Sequence, residues 1–311
     1  MKVFFLDRVH AVLQERLTKC GYTCVDAITL PIQNFLTYGK EVEGIVLRAR
    51  ILLNAETLQH FPNLKFIARS GSGLENIDIS FCKEHQIQLF NSPEGNRNAV
   101  AEHALAMLLS LMNKFPQAQQ QIKEGIWKRE ENRGEELSGK TVGIIGFGNN
   151  GSAFAQLLKS FNLRILAYDK YKTNFGNNHV QESTLDALFE HADVVSLHIP
   201  QTRETLGYVN TDFISSFAKP FYLLNLSRGK IVNTTDLVKA IKSEKVKGAG
   251  LDVLEFESKD FETMVDNSES LNYLRHSNNV ILTPHVGGWT KESYYKLSDV
   301  LADKIIEYFA S

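Results

Sequence analysis

The sequence predicts an α/β protein of two domains, each an open, doubly wound parallel sheet flanked by helices. Three observations lead there. Short apolar runs alternate with amphipathic stretches almost from end to end, the pattern of parallel strands joined by helical crossovers. The alternation runs as two series, divided by one long helical stretch. The chain of 311 residues, 43% hydrophobic and 23% charged, is long enough for two full cores.

The first series opens with KVFFL and continues through YTCVD, GIVL, LKFIA and IQLF, runs rich in β-branched and aromatic residues. The opening apolar run is broken by Asp7 and Arg8, so it reads as a first strand and not as a secretory signal. RVHAVLQERLTKC has helical spacing and stops at Gly21, as a helix should. NSPEGN then reads as a Pro/Gly turn, a possible hinge, before the helix NAVAEHALAMLLSLM. Glu102 and His103 interrupt that helix, which is too short to span a bilayer.

The second series runs TVGIIGF, RILAYD, DVVSLH, YLLNL, GAGLDV and NVILT. Helical patterns such as AFAQLLKSF, STLDALFE and TTDLVKAIKS fit between them. A final helix, TKESYYKLSDVLADKIIEYF, is expected to pack back on the first domain. The expected boundaries are therefore a discontinuous first domain, 1–94 and 288–311, and a second domain, 95–287. A net charge of −2 and a pI near 6.5 give no electrostatic fit to nucleic acid or a membrane surface. Cys20, Cys24 and Cys82 are odd in number and form no CxxC pair, which points to a reduced, cytoplasmic setting. No metal site is expected.

The glycines after TVGII carry the first functional signal. Gly146, Gly148 and Gly151 stand as GxGxxG between a buried-strand pattern and a helix pattern, with Asn149 and Asn150 inside the motif. Gly146 permits a tight turn, Gly148 lets a pyrophosphate approach the backbone, and Gly151 lets helix and strand pack closely. The helix N-terminus offers unpaired N–H groups to the anion. Asp169 closes the next strand, where a carboxylate binds the ribose hydroxyls of NAD and repels the 2′-phosphate of NADP. Lys170 and Lys172 follow and could offset that repulsion. Asn150 departs from pattern, since an apolar residue usually faces the core there.

Further motifs fall at the ends of later strands, where open α/β sheets hold ligands: SLHIPQTRETLGYVN, NLSRGKIVN, GAGLDVLEFES and ILTPHVGG. Together, in this order and over nearly the whole chain, from RSGSGLENID to TPHVGG, they resemble the D-isomer-specific 2-hydroxyacid dehydrogenase family. The resemblance implies a Rossmann-type NAD domain beside a flavodoxin-like substrate domain, and domain closure over the reaction. It implies Arg228, Glu257 and His285 as catalytic residues. An imidazole titrates near neutral pH and can donate the proton that accompanies hydride transfer. A carboxylate can hold it in one tautomer, and a guanidinium fork suits an oxo group beside a carboxylate. The family usually has Pro where this chain has Ser258, and Glu255 competes for the carboxylate role.

By the same resemblance His198, Pro200 and Thr202 lie near the adenosine and pyrophosphate, and Asp252 contacts the nicotinamide carboxamide. Ser70, Gly71, Ser72 and Gly73 form an anion nest for the substrate carboxylate, while Asn76 and Asp78 look structural, as helix caps. The segment 258–278 departs from the family and is expected as a wall of the site or an interface. Arg48, Arg50 and Arg69 cluster in sequence around the nest. Arg48, Arg50 and Arg69 are candidates for a second anion, such as a phosphate, as in short 3-phosphoglycerate dehydrogenases of serine biosynthesis. They could equally be salt-bridged surface groups. Glyoxylate/hydroxypyruvate and D-lactate remain as substrates, and an NAD(H)-sensing binding protein of the corepressor kind remains as the other class. A homodimer through residues 98–134, including Trp127, is expected by resemblance.

Overall fold

The computed structural model describes residues 1–258 and 268–310. The chain divides into two compact units. One holds Met1–Arg97 and the chain from Trp289, with Ser258; the other holds Asn98–Glu257 and the chain through Gly288.

In the first unit β1 (Lys2–Phe5), β2 (Thr23–Asp26), β3 (Gly44–Leu47), β4 (Phe66–Arg69) and β5 (Gln88–Asn91) form an all-parallel sheet in the order β2-β1-β3-β4-β5. The strand period of two sorts the side chains cleanly. Phe4, Leu6, Ile45, Leu47 and Ile67 pack in one core. Val3, Phe5, Val46, Phe66 and Ala68 face the other, which is closed by Leu301, Ala302 and Ile305 of the C-terminal helix Lys291–Ala310. That helix is pinned to the helix Ala11–Lys19, where Arg16 Nη1 and Nη2 meet Asp299 and Asp303 at 2.6 and 2.5 Å. Asp78 caps its helix as expected, accepting from Phe81 N at 3.0 Å.

NSPEGN is not a turn. The long helix begins at Pro93 and runs to Met112, so the boundary between the units falls inside it. Pro is tolerated in a first helical turn, where its missing N–H costs nothing. Gly95 serves packing: a Cβ there would lie 2.6 Å from Leu297 N.

The second unit holds seven parallel strands, β6 (Thr141–Ile145), β7 (Arg164–Tyr168), β8 (Gln181–Glu182), β9 (Val194–Leu197), β10 (Phe221–Asn225), β11 (Val246–Leu251) and β12 (Val280–Leu282). Their order is β12-β11-β10-β9-β6-β7-β8. The strand order therefore switches direction between β6 and β9, the topological point at which such sheets bind ligands. Two buried clusters cover the two faces; Ala101, Ala104 and Leu108 of the long helix belong to one, Leu237 and Ile241 of the helix Thr234–Lys242 to the other. The two-residue β8 was not legible in the sequence, because QE carries no apolar signal. Of the atypical segment 258–278, residues 259–267 lie outside the described residues. The part Glu269–His276 is a helix whose Leu271 and Leu274 enter the core. Among the described residues no helix is long and apolar enough to cross a membrane.

Candidate active site

Each glycine after β6 has a distinct physical reason. Gly146 has φ +94°, and a Cβ on it would lie 2.4 Å from the carbonyl oxygen of His198. A Cβ on Gly151 would meet the Gly146 oxygen at 2.0 Å, so the helix Asn149–Leu158 presses directly on the turn. Gly148 has nothing within 4 Å of its would-be Cβ. No side chain caps this helix, so its first-turn N–H groups and positive end are left to an anion. This open, uncapped cradle fits a dinucleotide pyrophosphate. The Asn149 carbonyl accepts from Ser152 Oγ at 3.2 Å, and Asn150 Oδ1 is buried without a partner.

Asp169 ties the cradle to β7. One of its oxygens accepts from Phe147 N at 2.8 Å, the other from Tyr171 N at 2.9 Å and Lys172 N at 3.0 Å. The two lysines that could have drawn a 2′-phosphate are engaged. Lys170 Nζ lies 2.6 Å from Glu204, and Lys172 Nζ donates to the Phe147 carbonyl at 3.2 Å. His198 turns its ring inward, to Ser196 Oγ at 2.9 Å and toward Phe154. Burial lowers its pKa to about 4, so it is neutral near pH 7. Its carbonyl borders the glycine turn. Pro200 and Thr202 shape a loop around Thr205, whose hydroxyl donates to the Pro200 carbonyl and accepts from Thr202 N, both at 2.7 Å.

The polar residues after β10 and β11 are built into each other. Asn225, fully buried, accepts from Ser227 N at 3.1 Å and donates to the Arg228 carbonyl at 3.0 Å. Ser227 Oγ donates to the Leu197 carbonyl at 2.6 Å, and Arg228 Nη1 donates to the Ser227 carbonyl at 2.7 Å. Gly229 must be glycine, since a Cβ there would sit 1.9 Å from the Leu254 carbonyl oxygen. That contact presses the SRG loop against the segment leading to Glu257.

The structure brings Glu257 and His285 together: Oε2 lies 2.8 Å from Nδ1. The other carboxylate oxygen accepts from Leu254 N. A carboxylate only accepts, so Nδ1 carries a proton in this pair. Glu255, the competitor, points elsewhere and accepts from Thr234 N at 3.2 Å. Ser258 in place of the family's Pro does not prevent the pairing.

His285 has φ +54°, a left-handed conformation unusual for a residue with a Cβ. Asp252 holds it there. Its carbonyl accepts from His285 N at 2.8 Å. Its carboxylate, 2% exposed, accepts from Val286 N at 2.9 Å, Gly287 N at 2.8 Å and Thr283 Oγ1 at 2.5 Å. Both Asp252 oxygens are thus engaged by the loop that carries His285. The motif hid this, because the partners are backbone groups more than thirty residues away.

In the first unit Asp7, buried behind β1, organises the VLRAR loop. It accepts from Arg48 N at 2.7 Å and from Arg50 Nε at 2.9 Å. Arg50 also donates to the Leu6 and Ile28 carbonyls at 2.5 and 2.9 Å, so its guanidinium is a structural tie and not the substrate contact expected. Arg48 differs. Its guanidinium lies 3.9 Å over the Trp289 ring, its Nε is buried without a partner, and burial lowers its pKa against the opposing pull of Asp7. Among the described residues it forms no ion pair with an acid.

Arg69 braces the glycine loop from below, donating to the Gly73 carbonyl at 2.8 Å. Ser70 N donates to the Leu47 carbonyl at 2.9 Å, which removes it from the expected nest and starts any nest at Gly71. Ser72 Oγ donates to Asn96 at 2.9 Å, and Asn76 Nδ2 bonds the Arg48 and Ile51 carbonyls at 3.0 and 2.8 Å.

Comparison with known proteins gives the family. The family description "D-isomer specific 2-hydroxyacid dehydrogenase, NAD binding domain" matches residues 105–287. The chain is 36% identical over 308 residues to a D-3-phosphoglycerate dehydrogenase of Archaeoglobus fulgidus, covering 98% of this chain and 57% of that one. It thus spans little more than half the length of that relative. It is 35% identical over 267 residues to a hydroxypyruvate reductase of Thermotoga maritima, covering 86% and 85% of the two chains. Among solved structures, a D-lactate dehydrogenase of Aquifex aeolicus with NAD and lactic acid superposes with a TM-score of 0.83 at 29% identity, over 100% and 95% of the chains. The chain belongs to the D-isomer specific 2-hydroxyacid dehydrogenase family and carries its NAD-binding domain.

Proposed function

We propose that this protein is an NAD-dependent dehydrogenase that interconverts a small D-2-hydroxy acid and its 2-oxo acid, with D-3-phosphoglycerate as the favoured substrate. The observation that carries the reaction is the Glu257–His285 pair on its clamped, left-handed turn. When bound, NAD(H) exchanges the hydride with substrate C2. His285 gives the C2 oxygen its proton from Nε2 during reduction and takes it back during oxidation. Glu257 fixes the ring through Nδ1. Arg228 grips the oxo group and carboxylate; in the first unit the Gly71–Gly73 backbone offers a nest to an anion. NAD is preferred over NADP because Asp169 faces the ribose while Lys170 is neutralised by Glu204.

Arg48 supports a substrate with a second anion, since a half-buried guanidinium with no acidic partner attracts one. Hydroxypyruvate, glyoxylate and D-lactate are the alternatives. Exposed Phe115, Ile122 and Trp127 support a homodimer through residues 98–134. The free thiols Cys20, Cys24 and Cys82 support a cytoplasmic setting.

The test is a panel of 2-oxo acids with NADH and NADPH, followed by loss of cofactor absorbance, for wild type and His285→Ala. Wild type should turn over, fastest with 3-phosphohydroxypyruvate and NADH. His285→Ala should still bind NADH but lose turnover. Cofactor binding without turnover of any acid in the wild type would move the protein to the sensing class.

A further inference from the structure

We propose that His103, on the long helix Pro93–Met112, is a positioning residue for this reaction; the inference rests on His285 being the acid/base. The helix comes close to β11 because residue 250 is glycine: a Cβ there would lie 2.7 Å from Leu224 Cδ2 and 3.2 Å from Met107 Cβ. His103 lies one turn before Met107, on the same helix face. Its Nε2 reaches Thr283 Oγ1 at 3.0 Å and stands 3.6 Å from Asp252 Oδ1.

The direction of these bonds follows from proton counting. Thr283 Oγ1 lies 2.5 Å from a buried carboxylate, which only accepts, so its single proton goes to Asp252. Toward His103 the hydroxyl can then only accept, and Nε2 must carry a hydrogen whatever the charge of the ring. The chain of donors therefore runs from His103 to Thr283 to Asp252. Asp252 in turn takes the N–H groups of Val286 and Gly287 and holds the left-handed His285. His103 fixes the rotor of Thr283, and through it the carboxylate that aims His285. It touches no reacting atom itself.

Four variants of the full chain test this: His103→Leu, His103→Gln, Thr283→Val, and the His103→Leu/Thr283→Val double variant. Two readouts are taken: amide hydrogen exchange over residues 285–288 without cofactor, and kcat, KM and NADH affinity. His103→Leu should speed exchange in that segment and lower kcat at least about tenfold, with NADH affinity within about threefold of wild type. His103→Gln, which keeps an N–H at similar reach, should restore both. The double variant should be no worse than about threefold below either single variant, because both break one chain. A His103→Gln as impaired as His103→Leu, multiplying losses, unchanged exchange, or a kcat within about twofold of wild type in His103→Leu would each overturn the proposal. If instead His285→Ala keeps its turnover, the acid/base reading falls, while the exchange result still reports on the clamp.

Discussion

Replacing Asp252 by Asn probes the turn that presents His285. The carboxylate accepts three hydrogen bonds, from Val286 N at 2.9 Å, Gly287 N at 2.8 Å and the Thr283 hydroxyl at 2.5 Å. An amide of the same shape has one accepting oxygen, so one of the two backbone N–H groups must face an NH2 group. A buried donor left unmet costs about 1–3 kcal/mol. Loss of charge weakens the bonds that remain, by roughly 0.5–1 kcal/mol. His285 at φ +54° stores a further ~1–2 kcal/mol that the clamp no longer opposes. The sum, about 2.5–6 kcal/mol acting on the ordered turn, predicts a fall in kcat of about seventyfold at the low end and on the order of ten-thousandfold at the high end. NADH affinity should change less than about threefold, since the glycine cradle is untouched. Steady-state kinetics and NADH fluorescence titration read the two quantities separately. A kcat within about threefold of wild type would refute the clamp, and a large loss of NADH affinity at unchanged kcat would return Asp252 to the carboxamide.

Gly151→Ala should weaken NADH binding at least about tenfold, because its Cβ would lie 2.0 Å from backbone oxygen and force the cradle open; an unchanged titration curve would contradict the packing argument. His198 makes stability pH-dependent: its folded pKa is about 4 against 6.5 for the free group, so between those values the unfolded chain takes up a proton that the folded chain refuses. Stability should fall by up to about 3 kcal/mol as pH drops from about 6.5 to about 4. Denaturant titrations of His198→Gln should lack that slope. Arg48→Ala should reduce kcat/KM for 3-phosphohydroxypyruvate about a hundredfold and for glyoxylate only severalfold, since only the former carries a second anion to lose its contact. Arg50→Ala should lower the melting temperature without discriminating between the two acids; equal selectivity effects from both arginines would undo the distinction drawn from their partners.

Much of this was written in the linear chain. Alternating runs such as GIVL and RILAY announced parallel strands because a strand buried on both faces needs continuous apolar residues, whatever its neighbours. GFGNNG announced a cofactor cradle because the requirement for missing side chains is local: turn, approach and packing all act within six residues. What the sequence misjudged involved partners distant in the chain. NSPEGN reads as a turn until the helix near Leu297 is laid against Gly95. Arg48 and Arg50 read alike until Asp7 takes one guanidinium and leaves the other over Trp289. Glu255 and Glu257 were rivals until the fold turned one to Thr234 and the other to His285. Sequence by itself determined the fold class and the family, and nominated the candidate reactive groups, because these depend on residue type and short-range spacing. Only the tertiary structure decided which acid meets which base, and which charge is already matched, because a hydrogen bond depends on direction and distance that close only when remote segments pack.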